Sequence, residues 1–476
     1  MKNIRKFETT AEMENAVLEN VSINYNVEID GVVAVNKPNV IGHSTMYTTF
    51  EALEDGTFSF TKNGTGDDIQ YSKDNGATWT ALASGENVNV VTGDKIMWKS
   101  TITPSNTYGI GTFSSSKKFN AYGNTMSLLY GDDFKGLTSL EGKNYTCLKL
   151  FSGCTQLIDV SNLILPAKTL ADSCYNGMFY KCTSLTTTPE LPATTLAVEC
   201  YKNMFYGCTS LTTAPELPAT TLTDKCYQDM FQNCTSLTTA PELPATTLAN
   251  NCYGRMFEGC TNLTTAPKLP ATTLAQSCYQ YMFSKCTSLT TAPSILPATT
   301  LADNCYLDMF SKCTSLTTAP ELPATALANS CYYAMFNDCT SLTTAPELPA
   351  TTLASACYQS MFFACTSLTT APELPATTLA ESCYSQMFFK CTSLTTAPEL
   401  PATTLAEYCY KSMFYNCSSL NHITMLATDI SATNCLNYWT NGVSSTGTFV
   451  KHPDMDSLPT GTSGIPNGWT VEDAVL

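Results

Sequence analysis

Twenty-three cysteines are the side chains of this 476-residue chain most able to do chemistry, and most of them are regularly spaced. One column runs Cys174, Cys200, Cys226, Cys252, Cys278, Cys305, Cys331, Cys357, Cys383 and Cys409, and a second cysteine follows each by eight residues. Thiols in such numbers act as disulfides, as metal ligands or as small buried hydrophobes. The C-x7-C spacing lacks the close ligand pairs of a zinc site, and residues 174 to 417 contain no histidine. If the residues between two cysteines are helical, eight of them span ~12 Å, whereas a bridge needs Cα atoms within ~7 Å. Stacked helices ~8–10 Å apart would also separate Cys200 from Cys226. Only the second column, Cys208 and Cys234 for example, at a strand spacing of ~4.8 Å, leaves bridging open. Free buried thiols are the expectation.

Other reactive constellations are sparse. His43, His422 and His452 all lie outside the regular cysteine array. There is no G-x-S-x-G, no H-E-x-x-H and no phosphate loop. Glu190, Glu216, Glu242, Glu321, Glu347, Glu373 and Glu399 share one register position, interrupted by Lys268 and Ser294. Stacked carboxylates can hold calcium, but an interrupted exposed row reads as solvated. Ser72 to Trp79, SKDNGATW, matches the Asp-box pattern of sialidase propellers. A propeller carries several copies; a single one reads as a hairpin turn stapled by Asp74 against a packed Trp79. The expectation is a non-enzymatic protein with no cofactor and no metal.

These residues are set in a 26-residue unit, LPATTLAVECYKNMFYGCTSLTTAPE over 191–216, repeated almost letter for letter. The one irregular step, 27 residues, lies between Cys278 and Cys305, where PSILP replaces PELP. A period of this length means stacked coils, with a core built between neighbours. In LAxxCYxxMFxxC, Leu196, Cys200 and Met204 recur at spacing four beside Ala197, Tyr201 and Phe205, which predicts a short helix with one wide apolar face. TSLTTAPELPATT holds two prolines and predicts a short strand and a corner, with Leu211, Ala214 and Leu217 turned inward.

The fold expected is α+β: an N-terminal β-rich domain followed by a curved leucine-rich-repeat solenoid of about 11 coils, each a short strand plus a short helix, with terminal caps. Residues 1–45 read as a docking segment, with a helix between Thr9 and Asn20 and a hairpin turning at Asp30-Gly31. Residues 46–125 read as the β-domain, 126–170 as the solenoid N-cap and degenerate first repeat, 171–420 as the regular repeats, and 421–476 as a C-terminal cap covered by Trp439 and Trp469. Strands stack more closely than helices, so the body is expected to curve with its strands concave.

Six positions per unit vary: the two after LA, the two between CY and MF, and the two before the second cysteine. Rings occur there at Tyr180, Tyr206, Tyr281, Tyr333, Phe363, Phe389, Tyr408 and Tyr415. Rings of this kind anchor protein contacts and stack on sugars, which makes these eight the candidate ligand-binding residues. The Thr-Thr face is nearly uniform and supplies β-propensity and hydroxyl ladders rather than discrimination.

The line M-F-x-x-C-x-x-L-x-x-A-P-x-L-P resembles the A-F-x-x-C-x-x-L-x-x-I-x-I-P line of BspA-type leucine-rich repeats over about residues 140 to 425. It departs from them in the longer unit and in the additional cysteine of the first column. The whole layout, down to GTFVKHP and GIPNGWTV, is also similar to repeat proteins of phages that infect gut bacteria. That resemblance implies a virion appendage, tail-fibre or head-fibre-like. It would be anchored to other virion proteins through its N-terminal segment and would meet a host surface protein or polysaccharide through the solenoid. Self-association as a homo-oligomer stays open. The alternative is a BspA-like adhesin of a bacterial cell surface. The balance of 40 acidic to 24 basic residues, net −16, argues against nucleic acid. No run is apolar enough to insert in a membrane, and MKNIRKFETTAEMENAVLEN has no secretory signal core.

Overall fold

The computed structural model describes residues 43–105, 108–455 and 458–475, with two short strands ahead of them, β1 (Val27–Ile29) and β2 (Val32–Ala34). These two pair antiparallel with Ile29 opposite Val32. The expected helix between Thr9 and Asn20, and the turn residues Asp30 and Gly31, lie outside the described residues.

Alternating sequences build the β-domain from β3 (Thr48–Ala52), β4 (Gly56–Lys62), β5 (Ile69–Ser72), β6 (Thr80–Leu82), β7 (Asn87–Val90), β8 (Lys95–Lys99), β9 (Gly111–Ser115) and β10 (Phe119–Asn124). In β4, Phe58 and Phe60 are buried and the residues between and after them are not, the period of two that one solvated face requires. One sheet runs β10-β3-β8-β5-β6 and the other β7-β4-β9. Their inner faces meet through Phe50, whose ring lies 5.4 Å from Phe58 and 4.7 Å from Phe113. A four-residue helix, α1 (Ser127–Tyr130), leads on to the coils.

The β-domain is itself the N-terminal cap of the solenoid. β11 (Leu157–Asp159) and β12 (Leu163–Ile164), from the first coil, pair parallel with β10. Beside them β9 seats on the first coil: Phe113 donates its N–H to Leu150 at 2.8 Å. The ring of Phe113 stacks on Phe151, and Phe151 on Phe179, so one hydrophobic core runs from the β-domain to the coils without a break.

Within the coils the predicted helices are absent. Residues 197–208 form a run of tight turns in which every fourth residue is left-handed: Glu199, Asn203 and Gly207 have φ of 55, 56 and 69°. Alternate amides close turns inside the coil, as Lys202 to Glu199 and Met204 to Tyr201. The amides between them, those of Glu199, Tyr201, Asn203, Phe205 and Gly207, donate instead to Asp224, Cys226, Gln228, Met230 and Gln232 of the next coil. Spacing four was the right period, but alternate amides hydrogen-bond across coils rather than along a helix. The physical reason is the coil rise. A helix satisfies all its amides internally and stacks at ~8–10 Å, which does not match strands ~4.8 Å apart on the same coil. A left-handed L-residue costs about 1–2 kcal/mol, and each is offset by the backbone bonds its geometry permits.

The strong curvature expected from unequal spacing therefore loses its cause. Rings on the turn side repeat at 5.4 Å from Phe179 to Phe205 and 5.8 Å from Tyr175 to Tyr201. On the other side, single parallel bridges such as Thr213 to Thr239 and Thr221 to Thr247 join the same coils. Leu211 and Leu217 point inward as expected, while Ala214 is half-buried and Pro215 takes an inner place. The far end closes with a parallel sheet of β13 (His422–Met425), β14 (Thr448–Lys451) and β15 (Thr470–Asp473). Trp439 and Trp469 cover it, donating their ring N–H groups to Gly464 and Ser444 at 3.0 and 2.8 Å.

Candidate functional site

All 23 cysteines are free and buried. Burial pushes the thiols of Cys226 and Cys234 up to about 12. A thiol so held carries almost no thiolate at neutral pH and makes a poor nucleophile. The first column is free for a different reason than helix spacing, since its coils stack as closely as strands. In the second column each thiol is spoken for: Cys208 donates to the Phe179 carbonyl at 3.1 Å, and Cys234 to that of Phe205. These thiols face backbone rather than a neighbouring sulfur. A column of tyrosines from Tyr175 to Tyr410 stacks beside the first-column thiols, buried, with the hydroxyls of Tyr306 and Tyr358 lacking any partner.

Among the described residues no group of three or more His, Cys, Asp or Glu could hold a metal ion. His43 packs on Tyr122 in the β-domain, while His422 and His452 belong to the C-terminal cap. The Asp-box sequence forms the turn between β5 and β6. Asp74 accepts from the Thr78 hydroxyl at 2.6 Å, the Thr78 N–H at 2.9 Å and the Ser72 hydroxyl at 2.7 Å, and these bonds hold its carboxyl down at about 2. Trp79 packs on Tyr47 with Lys99 across its ring at 4.3 Å. Asp74 and Trp79 thus have structural partners.

What remains is the solvent side of the turn ladder, where the six variable positions of every coil sit. The second member of each variable pair is a left-handed position, occupied by Asn203, Asp229, Arg255, Tyr281 and Asp308 in successive coils. The sequence showed variation at all six positions but not this conformational division, which no periodicity reports. Gly, Asn, Asp and Lys recur at these left-handed sites, and that was the available signal.

The candidate rings fall into four columns. Tyr180, Tyr206, Phe363, Phe389 and Tyr415 share one, immediately after Met-Phe. Tyr180 stacks on Tyr206 at 4.7 Å, Phe363 on Phe389 at 4.5 Å, and Phe389 on Tyr415 at 4.7 Å, all nearly parallel. All five are half-buried. Their faces are largely covered by one another, so the rings present edges to solvent and open faces only at the ends of each stack. Tyr281, Tyr333 and Tyr408 lie in three other columns and join neither stack.

Between the stacks the same column holds Gln232, Glu258, Ser284, Ser311 and Asn337. Glu258 is 4 % exposed and accepts from Gln232 at 2.9 Å, Arg255 at 3.2 Å and Lys285 at 2.7 Å. Burial lifts Asp229 and Asp308 to about 6, against partial relief from Arg255 for the first and from Ser311 and Tyr281 for the second. On the opposite side, Glu216 and its equivalents are exposed at proline-walled corners, and shallow hollows lie between adjacent coils there, one lined by Pro189, Glu190, Pro192, Pro215, Glu216 and Pro218. That side is nearly the same from coil to coil, Lys268 and Ser294 aside, and offers little discrimination.

The comparisons agree with this architecture. A model of the BspA type leucine-rich repeat region matches in six copies, over residues 147–290, 199–343 and 307–439. No curated protein matches the chain.

Proposed function

Because the chain belongs to the BspA-type leucine-rich repeat family, we propose that it is a non-enzymatic adhesive protein whose turn face contacts a host surface or its glycans, carried on a phage particle as an appendage. The observation that carries the recognition role is the pair of ring stacks, Tyr180–Tyr206 and Phe363–Phe389–Tyr415. They stand in the one region where otherwise uniform coils differ, and rigid rings add contact area at low entropic cost. Support for the particle is the layout: a β-rich domain ahead of the coils and a short strand cap behind them. In this reading the segment before residue 45 docks to other virion proteins.

Replacing Phe363, Phe389 and Tyr415 together by alanine is expected to weaken host-cell or glycan binding while the far-UV spectrum stays unchanged. Binding equal to the parent's removes the ring stacks from recognition. An adhesin on a bacterial envelope is the second reading, drawn from the same repeat family. Mass spectrometry of purified particles against cell envelopes separates the two.

A further inference from the structure

The turn ladder runs out at the last coil. In the coil before it the amides of Leu405, Tyr408 and Tyr410 donate to Asp429, Thr433 and Cys435, each at 3.0 Å. Their equivalents one coil on are the amides of Ile430, Asn434 and Leu436, and these have no acceptor among the described residues. The chain covers part of the row beyond them: Tyr438 donates to the Ser463 hydroxyl at 3.0 Å and Thr440 to the Thr462 carbonyl at 3.3 Å. Beside the three free donors lies a hollow of about 530 Å³, lined by Ile430, Ala432, Cys435, Leu436, Tyr438 and Ser463. The opposite end of the solenoid is closed by extended chain. There Ile110 and Phe113 donate to Thr146 and Leu150 of the first coil. Strand on coil is thus a contact this backbone already makes.

We propose that the hairpin β1–β2 of a second copy seats on the last coil, so that copies join head to tail. An edge strand offers carbonyls at alternate residues, the spacing at which Asn434 and Leu436 offer their N–H groups. Among the described residues β1 and β2 pair with each other alone. Two strands are marginal in water without a third or a face to pack on. The hairpin of the same chain is out of reach. The nine residues from Ala34 to His43, where the β-domain begins, span at most ~32 Å. Eleven coil steps separate Cys147 from Cys435, ~53 Å at strand spacing. Two last coils cannot serve each other, since donors would face donors. The other open edge at this end, β15, carries exposed Glu472 and Asp473, charges that discourage strand addition. The inference rests on the reading of the segment before residue 45 as a docking element and names its partner.

The test is the mass of the purified full chain in solution, by light scattering behind a sizing column. Species of roughly twice the monomer mass and above are expected to grow with concentration, because a head-to-tail contact leaves a free hairpin and a free last coil at the two ends. Val32→Pro with Ala34→Pro takes ladder donors from β2, and Ala432→Arg fills the hollow. Each variant alone is expected to be a monomer. Mixed, the two are expected to form a heterodimer and nothing larger, because each keeps the surface the other has lost. A misfolded variant could not complement its partner in this way. Association lost with the β2 prolines alone, or with Ala432→Arg alone, overturns the inference in favour of pairing between like ends. A mixture that stays monomeric overturns it as well, and so does a parent that remains a monomer up to roughly 0.1 mM. With a monomeric parent, loss of the β2-proline chain from purified particles leaves the docking reading standing, and its retention there removes that reading too.

Discussion

The two sides of each coil obtain the same rise by different means. On the turn side the backbone carries the stack: amides of alternate residues from 199 to 207 donate to the next coil, and the rings of Phe205 and Tyr201 repeat above Phe231 and Tyr227 at 5.5 and 5.8 Å. On the corner side the backbone is interrupted by prolines, and coils meet through isolated bridges such as Thr265 to Thr291, with weak threonine bonds such as Thr290 to the Thr264 carbonyl at 3.2 Å. The densely bonded side is the one that tolerates variation, and the sparsely bonded side is the uniform one. Where backbone bonds and buried rings hold the coil, the outward side chains are released from structural duty. Where prolines and inward leucines must hold it, the prolines and leucines of PELPATT recur in the coils, while its exposed glutamate gives way to Lys268 and Ser294.

That contrast sets the order of expected effects. Phe257→Ala, in the middle of the ring column, is expected to cost ~3–5 kcal/mol in chemical denaturation, against ~0.5 kcal/mol or less for Thr239→Ala on the corner side. Similar losses at the two positions would erase the distinction between the sides.

A second effect tests the electrostatics of the turn side alone. Asp229 rises from an ordinary carboxylate value to about 6 because burial disfavours its charge. The folded state therefore holds the proton more tightly than the unfolded chain. The associated stability is complete below about pH 4 and is lost as pH climbs to about 6. Asp229→Asn is expected to flatten that slope and to raise stability at pH 7 by about 1–3 kcal/mol. An unchanged slope would mean that Arg255 and Lys202 cancel the burial.

Smaller in size but sharper in sign is Ala356→Gly. Ala356 has φ 53°, a left-handed position. Glycine there is expected to add ~0.5–1 kcal/mol, whereas in a helix the same change would subtract about as much. A loss of stability would restore the helical description of this segment. The least costly probe is thiol chemistry. Twenty-three thiols should titrate after denaturation without reductant. In the native protein Cys435, which lines an opening at the last coil with Leu436, Tyr438 and Thr462, should react first. Simultaneous reaction of the buried columns would show that the stack opens as a whole.

Much of this was legible without coordinates. The 26-residue step, the inward leucines, the hairpin at Asp74 and the covering roles of Trp439 and Trp469 follow from period, turn chemistry and burial preference. The ring residues could be named because the repeat supplies its own comparison, copy against copy. Their mutual stacking could not, because it depends on the rise between coils, which no single copy encodes. The same gap produced the helix prediction: Leu196, Cys200 and Met204 satisfy a helical period, and the signal that contradicts it is spread over Glu199, Asn203 and Gly207 as a tolerance for left-handed backbone.

The sequence by itself determined that this is a stacked repeat, which residues form its core, that its thiols belong to that core, and where its copies differ. Those properties are local or periodic and are written in each unit. Only the tertiary structure decided the conformation of the LAxxCYxxMF segment, the even rise of the two sides, the seating of β9 on the first coil, and the stacking of rings on one face. Each depends on what the neighbouring coil offers to a backbone amide or a ring edge, and one copy read alone contains no neighbour.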